Sequence, residues 1–123
     1  MDENRFDLYC KLFIDTDEDR FRLTTFVAEC TYGNVERWNI YNHLMSLNIN
    51  KNEDFDASLR KTEDDGYLYS RFYLEIEPQV IADQNLYIAA VSKLLQQCWA
   101  ENYDAVALCD FASVLPRNGG VNK

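Results

Sequence analysis

The stretch YLYSRFYLEIE, residues 67–77, carries the clearest secondary-structure pattern in the chain. Apolar side chains alternate with aromatic and charged ones at a period of two, which is typical of a β-strand with one buried face. Pro78 follows and closes the strand, because proline cannot donate to a sheet hydrogen bond. The buried set is Leu68, Ser70, Phe72, Leu74 and Ile76, and the opposite set is Tyr67, Tyr69, Arg71, Tyr73 and Glu75.

C-terminal to this strand, the sequence predicts a helix and another strand. Residues 83–101 repeat apolar side chains at helical spacing, which indicates one buried helix face. Residues 103–111, YDAVALCDF, form a short apolar run of strand type, and the tail SVLPRNGGVNK is loop-like. The predicted helix face consists of Leu86, Ala90, Val91, Leu94, Leu95 and Cys98.

On the N-terminal side, residues 6–15, FDLYCKLFID, alternate in the same way and predict a further strand. Thr16 or Asp17 can cap a helix that continues to a stop at Gly33. Residues 35–50 are rich in β-formers, and their alternation changes register near Asn42, so they predict an extended segment of one strand or two.

The order of elements is therefore β-α-β-β-α-β within a single domain, residues 1–123. This order predicts an α+β, ferredoxin-like fold in which two helices cover one face of a four-stranded antiparallel sheet. The other sheet face would be open or half-covered and would present the tyrosines of the predicted strands.

Composition limits the partners. The chain has 21 acidic and 12 basic residues and a net charge of −9. This field repels nucleic acid and anionic membranes and attracts basic proteins, so we expect neither nucleic acid nor membrane as a partner. An open aromatic sheet face can bind RNA, but here it lacks basic surroundings. The N-terminus MDENRFD does not look like a signal peptide, and no apolar run could cross a bilayer, which predicts a cytoplasmic location.

No sequence pattern indicates catalysis, so we expect no enzyme activity, no cofactor and no metal site. His43 is the only histidine, and DTDED, residues 15–19, fails as a calcium loop because Arg20 and Phe26 occupy essential positions. The four cysteines occur singly within apolar runs, which predicts buried free thiols, with a disulfide or a reactive thiol as the alternative.

The stretch NEDFDASLRKTEDDG, residues 52–66, is here called the acidic segment. Its length between two predicted strands exceeds that of most connections. Acidic groups that steer a partner, beside aromatic side chains that become buried, predict a docking patch for a basic protein. The alternative is a solubilising loop. The predicted partner-binding residues are Glu53, Asp54, Asp56, Glu63, Asp64, Asp65, Tyr67, Tyr69, Tyr73 and Glu75.

A small, strongly acidic domain without a catalytic pattern resembles the immunity proteins of bacterial contact-dependent inhibition and related polymorphic toxin systems. The segment YDAVALCDFASVLPRNGG, residues 103–120, is similar to the closing segment of such proteins. The resemblance implies a protein that neutralises a cognate toxin, commonly a nuclease with a basic cleft. It transfers no individual binding residue, because these families share neither a fold nor a common set of contacts.

Two hypotheses follow. The first is an immunity protein that occludes a basic, nuclease-like toxin domain. The alternative is a small non-catalytic regulatory or adaptor module that acts through homo-oligomerisation, such as a homodimer, or through ligand binding on its open sheet face.

Overall fold

The computed structural model describes residues 6–121 and contains one six-stranded antiparallel sheet. The strands are β1 (Cys10–Asp15), β2 (Asn34–Glu36), β3 (Asn39–Tyr41), β4 (Met45–Lys51), β5 (Phe72–Pro78) and β6 (Asp104–Cys109). The helices are α1 (Arg20–Thr31), α2 (Ala57–Thr62) and α3 (Gln84–Ala100), and the 3-10 turns are Gly66–Tyr69, Ala112–Val114 and Pro116–Gly120. The strand order is β2-β3-β4-β5-β1-β6.

The prediction of a ferredoxin-like β-α-β-β-α-β fold was wrong, because the structure has six strands and three helices rather than four and two. The additional strands come from residues 34–51, which form three strands instead of one or two. The additional helix, α2, lies within the acidic segment, where no regular structure was predicted. The broader α+β class agrees with the structure.

The alternating pattern correctly located the buried face of the central strands. Leu12 on β1 lies opposite Leu74 on β5 and Ala107 on β6, so these side chains share one face of the sheet. Side chains of α1 and α3 complete the same buried cluster, which identifies this as the inner face. The helical contributors are Leu23 and Val27 from α1, and Tyr87, Val91, Leu94, Leu95 and Cys98 from α3.

The helix boundaries follow from their caps. The α1 N-cap is Asp19, whose side chain accepts a hydrogen bond from the Arg22 N–H, and not Thr16 or Asp17 as predicted. Asp83 caps α3 in the same way, close to the predicted start. On α3, Leu86 is 58% exposed while Tyr87 is fully buried, so the predicted apolar face was displaced by one residue at its N-terminal end.

The strand predicted from Tyr67 begins only at Phe72. Residues Gly66–Tyr69 form a 3-10 turn, in which Gly66 is buried against the backbone of Arg60. A Cβ on Gly66 would lie 2.1 Å from the Arg60 carbonyl oxygen, so this approach requires glycine. Tyr67 and Tyr69 therefore do not continue the tyrosine row of the sheet.

The C-terminal tail lies against the edge strand β6. Gly119 and Gly120 have φ values of +79° and +102°, and a Cβ on either would meet the carbonyl oxygen of Ala107 or Ala105. The described part of the predicted loop-like tail, residues 113–121, thus contains 3-10 turns and covers a sheet edge, while residues 122 and 123 lie outside the described residues. Covering an edge protects it from pairing with another chain.

Candidate functional site

The acidic segment is held in a defined conformation at its start. The side-chain amide of Asn52 donates hydrogen bonds to the carbonyl oxygens of Leu68 and Ser70, at 3.0 and 2.8 Å. Asp56 then caps α2 by accepting hydrogen bonds from Ser58 and Leu59, at 2.9 and 3.0 Å. One of the predicted partner-binding carboxylates, Asp56, is thus already used to begin a helix.

The middle of the segment is attached to the sheet by Arg60. Its guanidinium lies 2.7 Å from the Asp15 carboxylate at the end of β1, and 2.6 Å from that of Asp104 at the start of β6. Only 22% of the Arg60 side chain is exposed. The positive charge of Arg60 is therefore balanced by carboxylates outside the segment.

The other acidic side chains of the segment point into solvent. Within residues 6–121, the carboxylates of five of them form no ion pair with a cationic side chain, and each residue is exposed. These five, here called the exposed acidic group, are Glu53, Asp54, Glu63, Asp64 and Asp65. They flank α2 in the chain, two before it and three after it, and give the segment an exposed negative surface.

Two of the three predicted tyrosines, Tyr67 and Tyr73, pack against Phe13 on the outer face of the sheet. Phe13 on β1 projects from this face yet is buried, because Tyr67 packs edge-on against it at 5.8 Å and Tyr73 lies at 6.3 Å. The Lys11 ammonium lies 4.4 Å from the centre of the Tyr73 ring. Tyr67 and Tyr73 are half-buried, as is Tyr69, and so offer less free surface than predicted.

Glu75 lies on the same outer face and has a partner within the chain. The Tyr9 hydroxyl donates a hydrogen bond of 2.9 Å to its carboxylate. Burial, and next the hydrogen bond to Glu75, raise the pKa of Tyr9 to about 12. Glu75 therefore differs from the exposed acidic group in two respects. It lies on strand β5 rather than in the acidic segment, and its carboxylate already accepts a hydrogen bond within the chain.

A groove that the sequence does not predict lies at one end of the sheet. This terminal groove has a volume of about 600 Å³ and includes Phe21, Trp38, Phe55 and Arg71 in its lining. A second cavity of about 450 Å³ also has Phe55 and Arg71 in its lining. Asn52 and Phe55, which flank Glu53 and Asp54 in the chain, both line the groove, so the groove adjoins the acidic segment.

Aromatic rings in the terminal groove are paired with arginines. Arg71 lies 4.7 Å from the ring centre of Phe55, and Arg20 lies 4.3 Å from that of Trp38. The Arg20 guanidinium also donates to the carbonyl oxygen of Ile49, and burial lowers its pKa. Among the aromatic and arginine residues named here, only Phe55 stands out in the sequence, as an aromatic residue among carboxylates. The others come from elements that are distant in the chain and meet only in the folded protein.

No group of three or more His, Cys, Asp or Glu side chains that could hold a metal occurs among the described residues. His43 is exposed in the turn between β3 and β4. All four cysteines are free, with Cys10 and Cys98 buried and Cys30 and Cys109 half-buried.

No helix within residues 6–121 is long and apolar enough to cross a membrane. Comparison of the chain with protein-family models, with curated proteins and with solved structures gave no significant match.

Proposed function

We propose that this chain is a non-catalytic, cytoplasmic binding protein that neutralises a basic protein toxin, and that the exposed acidic group is its main contact surface. The observation that carries the proposal is the separation of roles within the acidic segment. Asn52, Asp56 and Arg60 hold the segment in position, while five carboxylates remain exposed and unpaired within the described chain.

Charge supports fast and selective association with a basic partner. A net charge of −9 produces an attractive field for a cationic surface, and complementary charge raises association rates more than it raises affinity. A nuclease active site, which must hold phosphate, presents such a cationic surface. Protection against a toxin requires rapid capture, so this form of recognition suits an immunity protein.

Preorganisation of the segment supports affinity. A loop whose backbone becomes ordered only on binding loses about 1–2 kcal/mol of conformational entropy per residue. The Asp56 cap and the Arg60 ion pairs hold the backbone of the acidic segment before any partner arrives. Less ordering remains to oppose binding than in a flexible acidic loop.

Phe55 supplies the apolar part of the proposed contact. It is 37% exposed beside Glu53 and Asp54, whereas Tyr67 and Tyr73 already pack on Phe13. Interfaces commonly gain most of their energy from a few aromatic anchors within a polar surround. We therefore add Phe55 to the predicted contact residues.

The proposal is tested by capture followed by a toxicity assay. Tagged protein is used to isolate partners from extracts of its host at moderate salt, and retained proteins are identified by mass spectrometry. We expect one basic protein at near one-to-one ratio, whose expression arrests growth of a test strain and whose toxicity disappears when this chain is co-expressed. Recovery of the chain alone, or of a partner that does not affect growth, would contradict the immunity function.

A second candidate is a homo-oligomeric module. The observation that favours it is the short edge strand β2, whose Val35 is 52% exposed and whose outer edge is unpaired within the sheet. Light scattering coupled to size-exclusion chromatography distinguishes the candidates. A stable dimer in the absence of any partner would favour the module, and a monomer would favour the toxin-binding protein.

A further inference from the structure

Two of the four cysteines lie directly opposite each other in the sheet. Cys10 on β1 is in register with Cys109 on β6. Opposed residues of antiparallel strands project from the same face and have Cα atoms about 4.5–5.5 Å apart. A disulfide bridges Cα atoms separated by about 4.4–6.8 Å. The backbone therefore already holds these two residues at the separation that a disulfide requires.

We propose that Cys10 and Cys109 form a dithiol site that hydrogen peroxide converts to a cross-strand disulfide. Both side chains lie on the inner face of the sheet, Cys10 within the core cluster and Cys109 packed against it, so the two thiols are neighbours before any oxidant arrives. The site lies away from the acidic segment in sequence and does not depend on the proposed toxin binding.

The two cysteines have different environments, which assigns them different roles. Cys10 is completely buried, while Cys109 is half-buried at the end of β6. The hydrogen bond from Cys10 lowers the pKa of Cys109 against the opposing effect of burial, and the backbone N–H of Phe111 lowers it further. The same contact with Cys109, followed by burial, raises the pKa of Cys10.

Cys109 is the residue that attacks peroxide, because it has exposed surface that peroxide can reach whereas Cys10 is completely buried, and the thiolate is the reactive form. Its sulfur displaces one oxygen of hydrogen peroxide, the O–O bond breaks, and Cys109 becomes a sulfenic acid while the other oxygen leaves as hydroxide. The Cys10 sulfur then attacks the Cys109 sulfur and the S–O bond breaks. Each of the two steps releases one hydroxide, which takes up one of the two thiol protons to form water. In total, two electrons pass from the sulfur atoms to peroxide.

Cys30 and Cys98 provide a comparison pair within the same chain. They lie on α1 and α3, and burial, followed by the nearby Cys30, raises the pKa of Cys98. Burial, and then the nearby Glu29, raise the pKa of Cys30 to about 11. Cys30 is free and half-buried, like Cys109, but we expect it to react with peroxide more slowly than Cys109.

The test is mapping of the oxidised thiols. The reduced full-length chain is treated with hydrogen peroxide, blocked with an alkylating reagent, and digested with trypsin and a glutamate-specific protease. Cleavage after Glu101 separates Cys98 from Cys109, so the expected product is residues 6–11 linked to residues 102–117, lighter by two hydrogen atoms and split by a reducing agent. A Cys30→Ser variant should form the same product to the same extent.

A Cys109→Ser variant should form no such product and should keep Cys10 open to alkylation after denaturation. Because Cys10 lies in the core, its role is tested with Cys10→Ala, in which Cys109 should accumulate as a sulfenic acid trapped by dimedone. The wild-type measurement decides the matter even if a variant does not fold. Absence of the linked peptide from folded, peroxide-treated wild-type protein, or oxidation of Cys30 before Cys109, would overturn the proposal.

Discussion

Arg60 lies 2.7 Å from the carboxylate of Asp15, and this contact attaches the helix of the acidic segment to the end of strand β1. The same guanidinium reaches Asp104 on the neighbouring strand β6. One side chain therefore positions the segment relative to two strands. It also removes a positive charge from the surface, which leaves the exposed acidic group with little internal compensation.

Replacing Arg60 with Ala should lower the free energy of unfolding by about 1–3 kcal/mol, because Asp15, with 18% of its side chain exposed, would lose its charged partner. Urea unfolding followed by circular dichroism measures this. The neighbouring exposed Lys61→Ala is the control and should change stability by less than about 0.5 kcal/mol. Equal stability of the two variants would show that the Arg60 contacts do not hold the segment.

Replacing Glu75 with Gln should lower the pKa of Tyr9 from about 12 towards its ordinary value of 10.0. Burial is the larger cause and remains, so the return is partial, while the charged hydrogen-bond acceptor is lost. NMR titration of the Tyr9 ring carbon measures this pKa. Glu77→Gln is the control, since Glu77 is a minor cause, and a shift as large as that of Glu75→Gln would contradict the assignment.

The raised pKa of Tyr9 also predicts a direction for stability in alkali. The unfolded chain releases the Tyr9 proton near pH 10, whereas the folded chain retains it until about pH 12. Between these values the unfolded state binds fewer protons, so stability should fall as pH rises. The wild-type protein should lose more stability than Glu75→Gln over this interval in urea titrations; identical slopes would contradict the prediction.

Replacing Gly120 with Ala should lower the free energy of unfolding by more than about 1 kcal/mol, because φ is +102° and the new Cβ would lie 2.5 Å from the carbonyl oxygen of Ala105. Thermal unfolding measures this change. Asn118→Gly, at φ 52° and exposed in the same tail, is the control and should be neutral or stabilising. A stable Gly120→Ala variant would mean that the tail does not lie against β6.

The sequence was informative wherever one face of an element is buried over several residues. Leu12 and Ile14 on β1, and Leu74 and Ile76 on β5, alternate strictly, and each of these side chains is fully buried. The predicted second helix, residues 83–101, agrees closely with Gln84–Ala100 because its repeat extends over several turns. Long periodic elements carry enough repeats to identify both type and position.

Short elements were missed for the corresponding reason. β2 and β3 contain three residues each, too few to show alternation, and the turn between them uses Arg37 at φ 60° without a glycine signal. The alternation of Tyr67 and Tyr69 continues that of β5, so nothing local distinguishes the 3-10 turn from a strand. That turn depends on the contact of Gly66 with Arg60, which only the folded chain contains.

The candidate site was predicted in part. The acidic composition and lack of periodicity of the acidic segment predict that its carboxylates are exposed. The structure shows this exposure for Glu53, Asp54, Glu63, Asp64 and Asp65. The structural use of Asp56 had a local signal, since an Asp that precedes good helix formers is a common N-cap. The use of Arg60 had none, because its partners Asp15 and Asp104 lie far from it in the chain and meet it only through the sheet.

Phe55 should act as an apolar anchor if the acidic segment is the contact surface. Phe55→Ser is expected to weaken binding of the captured partner about tenfold, as is typical for loss of an aromatic anchor. Isothermal titration calorimetry measures the dissociation constant. Ile81→Ser, a change at an exposed apolar residue outside the segment, is the control. An equal effect of both substitutions would remove Phe55 from the interface.

The central claim is tested most directly by the association rate of the captured partner with two charge-reversed variants. One replaces Glu53, Asp64 and Asp65 with Lys, and the matched control replaces the exposed Glu29, Glu36 and Glu77 with Lys, so both have the same net charge. Rates are measured by surface plasmon resonance at about 0.05 M and about 0.3 M salt, across which screening changes strongly.

At low salt, we expect charge reversal within the acidic segment to slow association by at least about tenfold, and the control variant to slow it much less. The difference between the two variants should shrink at the higher salt concentration. Equal association rates for the two variants at low salt would contradict the claim, because only the net charge of the protein, and not the acidic segment, would then attract the partner.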